Sequence, residues 1–186
     1  MPEKKKTKAK AEERITEEIK ETPKQPPYKV LFLASECVPF VKTGGLADVI
    51  GALPKELKRQ GVDVRVMIPL YSAIGPKYRE QMTRICEFYV QLGWRSQYCG
   101  ILTMEYQGVP VYFIDNEYYF GRGYIYGQCN SDEGERFAFF SKAALEAMPR
   151  IGFYPDVLHA HDWQAAMSIA PVSYTHLRAH ETGAYL

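Results

Sequence analysis

The sequence predicts an α/β fold built on an open, mainly parallel sheet, and three observations carry that expectation. Lys29–Ala34 and Asp156–Ala160 are short, mostly apolar runs, the pattern of strands buried on both faces. Residues 29–69 read strand, glycine turn, helix, glycine, strand, which is the order of a βαβ unit with a parallel crossover. Strand and helix patterns then keep alternating to about residue 169.

Met1–Pro27 is a different material: clustered Lys, then clustered Glu, with Ile15 and Ile19 almost alone as apolar residues. Such a segment buries too little surface to offset its ordering entropy, so residues 1–27 are expected to form a disordered charged tail. Its six Glu and lack of Ser argue against an organelle transit peptide and for a bacterial cytoplasmic protein.

After the first strand, Leu46, Val49, Ile50, Leu53 and Leu57 follow helical spacing. Pro54 is expected to kink that helix and Gly61 to stop it. Asp63–Ile68, closed by Pro69, is the second strand. Phe88–Leu92, Gly100–Tyr106 and Val109–Ile114 read as further strands, the last two separated by Gln107–Gly108. Glu135–Met148 reads as a helix with Phe137, Phe140, Ala144, Leu145 and Met148 inward, ended by Pro149 and Gly152. Trp163 to about Ile169 starts another helix after the strand at Asp156–Ala160. Residues 28–171 are thus expected to form one domain.

Composition excludes several function classes. The 186 residues carry a formal net charge of +1, which gives no electrostatic reason to expect nucleic acid or an anionic membrane as partner. No apolar run approaches the roughly 20 residues that span a bilayer. Cys37, Cys86, Cys99 and Cys129 lack the paired spacing of zinc or disulfide frameworks, so scattered reduced thiols are expected.

Ligands of such sheets bind outside the carboxyl ends of the strands, and two strand ends here are chemically loaded. The first is Ser35–Asp48. Gly44 and Gly45 precede a helix whose first N–H groups lack intrahelical partners, and Lys42 adds a full positive charge. Asp48 is placed either to accept from a sugar hydroxyl or to stabilise the helix end. The pattern is neither G-x-G-x-x-G nor a P-loop, and on local chemistry Gly-Gly before a helix is more often a plain tight turn than a phosphate cradle. The second strand end is His159-Ala160-His161-Asp162-Trp163-Gln164, a set able to bind or stack on a sugar. His159 also reads as a satisfied core or turn histidine, and Asp162 as the cap of the next helix. A metal site is disfavoured, because H-x-H-D has no further ligands nearby.

Taken in register, these residues resemble the glycogen/starch synthases. The resemblance runs through Ala34-Ser35-Glu36 with Pro39, Lys42–Val49 with Ile50–Pro54, and Gly61–Val66 to Pro69. It continues through Ile114-Asp115-Asn116, Gly134–Ser141 and His159–Gln164. Ala47 in the loop resembles the bacterial version. The resemblance implies a GT-B fold, two Rossmann-like domains with the active site between them, of which this chain is the amino-terminal half. The implied reaction transfers glucose from ADP-glucose to the non-reducing end of an α-1,4-glucan, with retention and with neither metal nor other cofactor. By position, Lys42, Gly44 and Gly45 would meet the donor, Asp48 would help hold the loop, and Asp162 would be the catalytic carboxylate beside the transferred glucose. Glu36 is implied in the donor surroundings, Tyr126 on the acceptor side and His161 against the sugar. A nucleotide- or carbohydrate-binding domain without catalysis, and a UDP-glucose transferase of the same architecture, are the alternatives.

From Val172 the string Val-Ser-Tyr-Thr-His-Leu-Arg-Ala-His-Glu-Thr resembles the translated adapter of a transposase-based sequencing library. Residues 172–186 are therefore expected to be non-native, which sets aside His176 and His180. The carboxyl-terminal Rossmann-like domain is then expected to be missing, and the fragment alone to be inactive.

Overall fold

The computed structural model describes residues 27–127 and 132–169. The expectations for the charged tail up to residue 26 and for 172–186 fall outside the described residues. In chain order the elements are β1 (Lys29–Leu33), α1 (Gly45–Arg59), β2 (Asp63–Pro69), α2 (Pro76–Arg79), β3 (Thr83–Leu92) and β4 (Arg95–Tyr106). They continue with β5 (Val109–Asp115), α3 (Glu117–Phe120), α4 (Glu133–Arg150), β6 (Val157–Ala160) and α5 (Trp163–Ala166).

The strands form one sheet in the order β3-β4-β5-β2-β1-β6. β6, β1, β2 and β5 run parallel, while β3 and β4 add an antiparallel hairpin at one edge. The mainly parallel α/β expectation is met. Parallel strands need long crossovers, and α1 supplies the one between β1 and β2. The core gathers Leu31, Phe32 and Leu33 of β1, Val66, Met67 and Ile68 of β2, and Phe113 and Ile114 of β5, with Ile50, Phe139 and Phe140 from the helices.

Helix α1 departs from the expected facing. It buries Ala47, Ile50, Gly51 and Pro54, while Val49 is 46% exposed and Leu46, Leu53 and Leu57 are only partly covered. The small residues face inward because the helix lies close against the loop after β1. A Cβ on Gly51 would stand 3.1 Å from both the Cβ and the carbonyl oxygen of Val38. The helix runs through Pro54 to Arg59, and Gly61, at φ 89°, turns the chain out of it. Gly61 N–H donates to Lys58 O at 3.0 Å and Val62 N–H to Leu57 O at 3.1 Å, a Schellman closure. α4 ends the same way. Pro149 sits inside its last turn, and Gly152 (φ 63°) with Phe153 closes it through bonds to Pro149 O and Met148 O. Its expected inward residue Leu145 is only partly covered, while Arg136, Phe139, Ala143 and Ala147 are fully buried.

β6 was expected to be buried on both faces and is not. Val157 is 48% exposed and His159 is exposed, because β6 lies at the sheet edge with β1 as its only partner among the described residues. An apolar run records the propensity to be covered, and the strand order decides whether a neighbour is there.

Register sets one more feature. Asp115, the last residue of β5, pairs with Gly100, so residues 95–99 of β4 continue past it. At about 3.4 Å per residue the β3–β4 hairpin tip projects roughly 17 Å beyond the carboxyl end of β5. β5 runs parallel to β2, β1 and β6, so the tip stands on the side of the sheet where their carboxyl ends lie.

Candidate functional site

From β1 the chain runs on to β2 through α1 on one side, while β6 pairs on the other, so the strand order reverses between β1 and β6. The crevice outside such a reversal is where open α/β sheets bind ligands. The loop after β1 and the loop after β6 flank it.

The loop after β1 is built around Glu36, whose side chain is buried. Its Oε2 accepts from the N–H groups of Thr43 and Gly44, the latter at 3.2 Å. Its Oε1 accepts from Thr43 Oγ1 at 2.7 Å and from the Tyr126 hydroxyl at 2.5 Å. With that proton committed, Ser35 Oγ, 2.7 Å away, donates to the Tyr126 oxygen. Burial pushes the Glu36 carboxyl up, but the hydrogen bonds from Tyr126, Thr43 and Gly44 outweigh it and hold its pKa below the ordinary value. Tyr126 is pushed up, first by burial and then by its bond to Glu36. A second tie, Val38 N–H to Ala47 O at 3.1 Å, fastens the loop to α1.

Above this buried anchor the loop is open. No heavy atom lies within 4 Å of where a Cβ would stand on Gly44 or Gly45, and Gly44 has an extended backbone at φ −146°. Neither packing nor a left-handed turn explains glycine at these positions. Lys42 Nζ lies 2.7 Å from both oxygens of Asp48, in an exposed ion pair over the first turn of α1.

At the end of β6, His161 N–H donates to Leu33 O at 2.9 Å, which locks the two strand ends together. The His161 ring stacks on Phe32, with centroids 5.3 Å apart, and lies 4.2 Å from the ring of His159. Its Nε2 is buried without a hydrogen-bond partner among the described residues. Burial and the neighbouring His159 lower its pKa to about 4. Asp162 follows at φ 61° and ψ 176°, a region open almost only to glycine. It caps α5, its Oδ1 accepting from Trp163 N–H at 2.7 Å, and its side chain faces solvent.

A row of rings connects the two walls. Trp163 meets Phe137 edge-on at 5.1 Å, and Phe137 lies 6.2 Å from Tyr126, which bonds Glu36. Lys42, Gly44, Gly45, Asp48, Glu36 and Tyr126 thus gather at the end of β1, and His161 and Asp162 at the end of the adjacent β6. Tyr126, expected on the acceptor side, is tied to the glycine loop.

Sequence reasoning missed Arg136 as an organiser. Fully buried, it donates to the carbonyls of Tyr119 and Ile125 at 2.7 Å each and to Glu133 Oε1 at 3.0 Å. It thereby fixes the segment that delivers Tyr126. Its place on the same helical stripe as Phe140, Ala143 and Ala147 was the available signal. The roles of Ser35 and Thr43 had no such signal, because both depend on where Glu36 turns.

A surface cleft of about 570 Å³ along Val49, Leu53, Glu56, Arg59 and Gln107 lies toward the β4–β5 turn, at the opposite end of the strands. The strand-end site is an open wall, and its assignment rests on its chemistry. Among the described residues no group of three or more His, Cys, Asp or Glu is placed to hold a metal ion, and no helix is long and apolar enough to cross a membrane.

Comparison with known proteins bears on this geometry. The family model of the starch synthase catalytic domain matches residues 29–183. A glycogen synthase of Anoxybacillus flavithermus is 58% identical over 139 residues, covering 75% of this chain and 28% of that protein. One from Desulforamulus reducens is 59% identical over 139 residues, with the same coverage of 75% and 28%. Among solved structures, the catalytic domain of Starch Synthase IV from Arabidopsis thaliana, bound to ADP and acarbose, matches with a TM-score of 0.71 and 31% identity. That match covers 81% of this chain and 31% of that one. The chain therefore spans under a third of the length of these relatives.

Proposed function

The chain belongs to the starch synthase catalytic domain family, and from that premise we propose that it forms the donor-side wall of a bacterial, cytoplasmic glycogen synthase. The reaction is transfer of glucose from ADP-glucose to the non-reducing end of an α-1,4-glucan, with retention. The observation that carries this reading is the pair Gly44–Gly45, which stands open over a buried anchor and beside a lysine.

Glucose transfer leaves ADP with a growing negative charge, and groups already aimed at that charge lower the barrier. Lys42 and the free N–H groups at the start of α1 are such groups, and the helix dipole adds to them. The positive charge comes from the protein itself, so the proposed reaction needs neither metal nor other cofactor. Glu36 takes the amides of Thr43 and Gly44, so its role is to hold the loop in shape and leave later amides for the diphosphate. Asp48 steadies Lys42, and Asp162 offers its exposed carboxylate as the catalytic group beside the transferred glucose. Tyr126 and His161 line the wall between them. The second Rossmann-like domain of the same enzyme would close the cleft over the adenosine.

The test is Lys42→Ala in the complete enzyme. Loss of a charge-bearing donor should lower kcat/KM for ADP-glucose about 100-fold. Stability should change by less than about 0.5 kcal/mol, because the ion pair is exposed. Unaltered donor kinetics would remove Lys42 from the site. A rate abolished by EDTA would overturn the metal-free reading, and a preference for UDP-glucose would move the donor assignment.

A further inference from the structure

Trp94 is the most exposed large apolar side chain among the described residues, at 87%, and it sits at the tip of the β3–β4 hairpin. A two-residue hairpin turn asks only for residues that tolerate positive φ, and Gly93, at φ 58°, meets that need. Nothing in the turn requires an indole. A single exposed apolar side chain is ordinary, whereas a contiguous exposed patch marks a contact site.

The ring is not isolated. The guanidinium of Arg95 lies 4.9 Å from the Trp94 ring centroid and donates to Glu135 Oε1 at 2.6 Å. The same oxygen accepts from the Tyr119 hydroxyl at 2.5 Å. Tyr119 packs edge-on at 5.0 Å against Tyr118, itself 58% exposed, and Arg122 lies 5.5 Å from the Tyr118 ring. Asn116 Nδ2 donates to Tyr98 O at 2.7 Å and fastens the hairpin to the end of β5. Two exposed aromatic rings are thus mounted on one ion-paired frame. The frame stands on the strand-end side of the sheet, beyond the carboxyl end of β5.

We infer that Trp94 and Tyr118, with Arg95 between them, form a ledge that binds an α-glucan chain outside the transfer site. Aromatic faces stack on the apolar faces of glucose rings, while Arg and carboxylate groups between them bond hydroxyls. The inference rests on the glucan acceptor of the proposed function, since a long acceptor must leave the crevice over its rim. The ledge holds the polymer near the reacting end and so raises its local concentration.

The test uses the purified chain, with maltoheptaose and soluble glycogen as probes and ADP titrated in parallel. In Trp163→Phe the only remaining tryptophan is Trp94, and maltoheptaose should shift its emission saturably. Trp94→Ala and Tyr118→Ala should each weaken retention in glycogen-containing gels at least fivefold, with an unchanged far-ultraviolet spectrum. Trp94→Phe, which keeps a ring, should restore most of that retention. ADP affinity should be the same in the Trp94 and Tyr118 variants. Glycogen retention unaffected by Trp94→Ala overturns the ledge, as does an emission shift that follows protein concentration instead of glucan, which marks a contact between copies. Absence of glucan binding with ADP binding intact overturns the ledge and spares the donor-site reading. Ledge-dependent glucan binding, together with donor kinetics unaltered by Lys42→Ala in the complete enzyme, supports the ledge and sinks the donor-site reading.

Discussion

The two walls of the crevice are finished to different degrees. At the end of β1 the buried carboxylate of Glu36 is met by four donors, and the glycine loop is held without backbone strain. At the end of β6 an imidazole nitrogen is buried without a hydrogen-bond partner among the described residues, and a non-glycine residue holds a backbone conformation suited to glycine. The first wall is pre-organised by its own hydrogen bonds, whereas the second stores free energy. Strain of this kind persists only where the surroundings enforce it, and it concentrates where a side chain must be aimed.

The contrast is broken most severely through Arg136, which holds up the first wall. Arg136→Met strips the partner from the carbonyls of Tyr119, Tyr124 and Ile125 and from Glu133, and should cost about 3–5 kcal/mol in urea unfolding. A loss below about 1 kcal/mol would mean that the segment bearing Tyr126 is held by something else. Glu36→Gln keeps the shape but replaces one acceptor oxygen with an NH2 group, so the hydroxyl bonds of Thr43 and Tyr126 must be rearranged, at a cost of about 2 kcal/mol. The folded carboxyl titrates below its unfolded value of about 4.5. Its stabilisation is therefore complete above that pH and disappears as pH falls through the lower folded value. An acid limb of the stability profile that is unchanged in the glutamine variant would contradict this.

The second wall predicts a different pH window. The unfolded His161 takes a proton near 6.5 and the folded one only near 4, so acidification across that interval favours unfolding. Allowing for partial exposure, roughly 1–2 kcal/mol should be lost between those values. His161→Phe, which keeps a ring against Phe32, should flatten that part of the profile. Burial also lowers His159, so a small slope should survive. Asp162→Gly sharpens the comparison at the smallest energy. Releasing the strained φ should stabilise the chain by about 1 kcal/mol, less the few tenths lost with the cap. The same change should abolish glucose transfer in the complete enzyme. Destabilisation together with retained transfer would show that neither the strain nor the carboxylate serves the site.

Much of the first wall was legible in the sequence, because its parts lie within a short stretch. Gly44, Gly45, Lys42 and Asp48 fall between a strand and a helix that both announce themselves by apolar spacing. Glu36 lies seven residues before Thr43, yet its role was not legible. A carboxylate turned into the protein reads no differently from one turned outward. Val49 shares the helical spacing of the apolar residues of α1 and is nevertheless exposed, for a related reason. Hydrophobic spacing favours the large residues, while the close approach at Val38 admits only Gly51 and its small neighbours.

By itself the sequence determined the alternation of strands and helices, the two strand ends that carry chemistry, and the glycine closures of α1 and α4. These follow from the backbone preferences and apolar periods of neighbouring residues. Only the tertiary structure decided that β6 pairs with β1 alone among the described residues, that Arg136 and Glu36 are internal anchors, and that the Trp94 hairpin overhangs the strand ends. Each of those depends on strand order and register, which bring together residues far apart in the chain and leave no trace in local pattern.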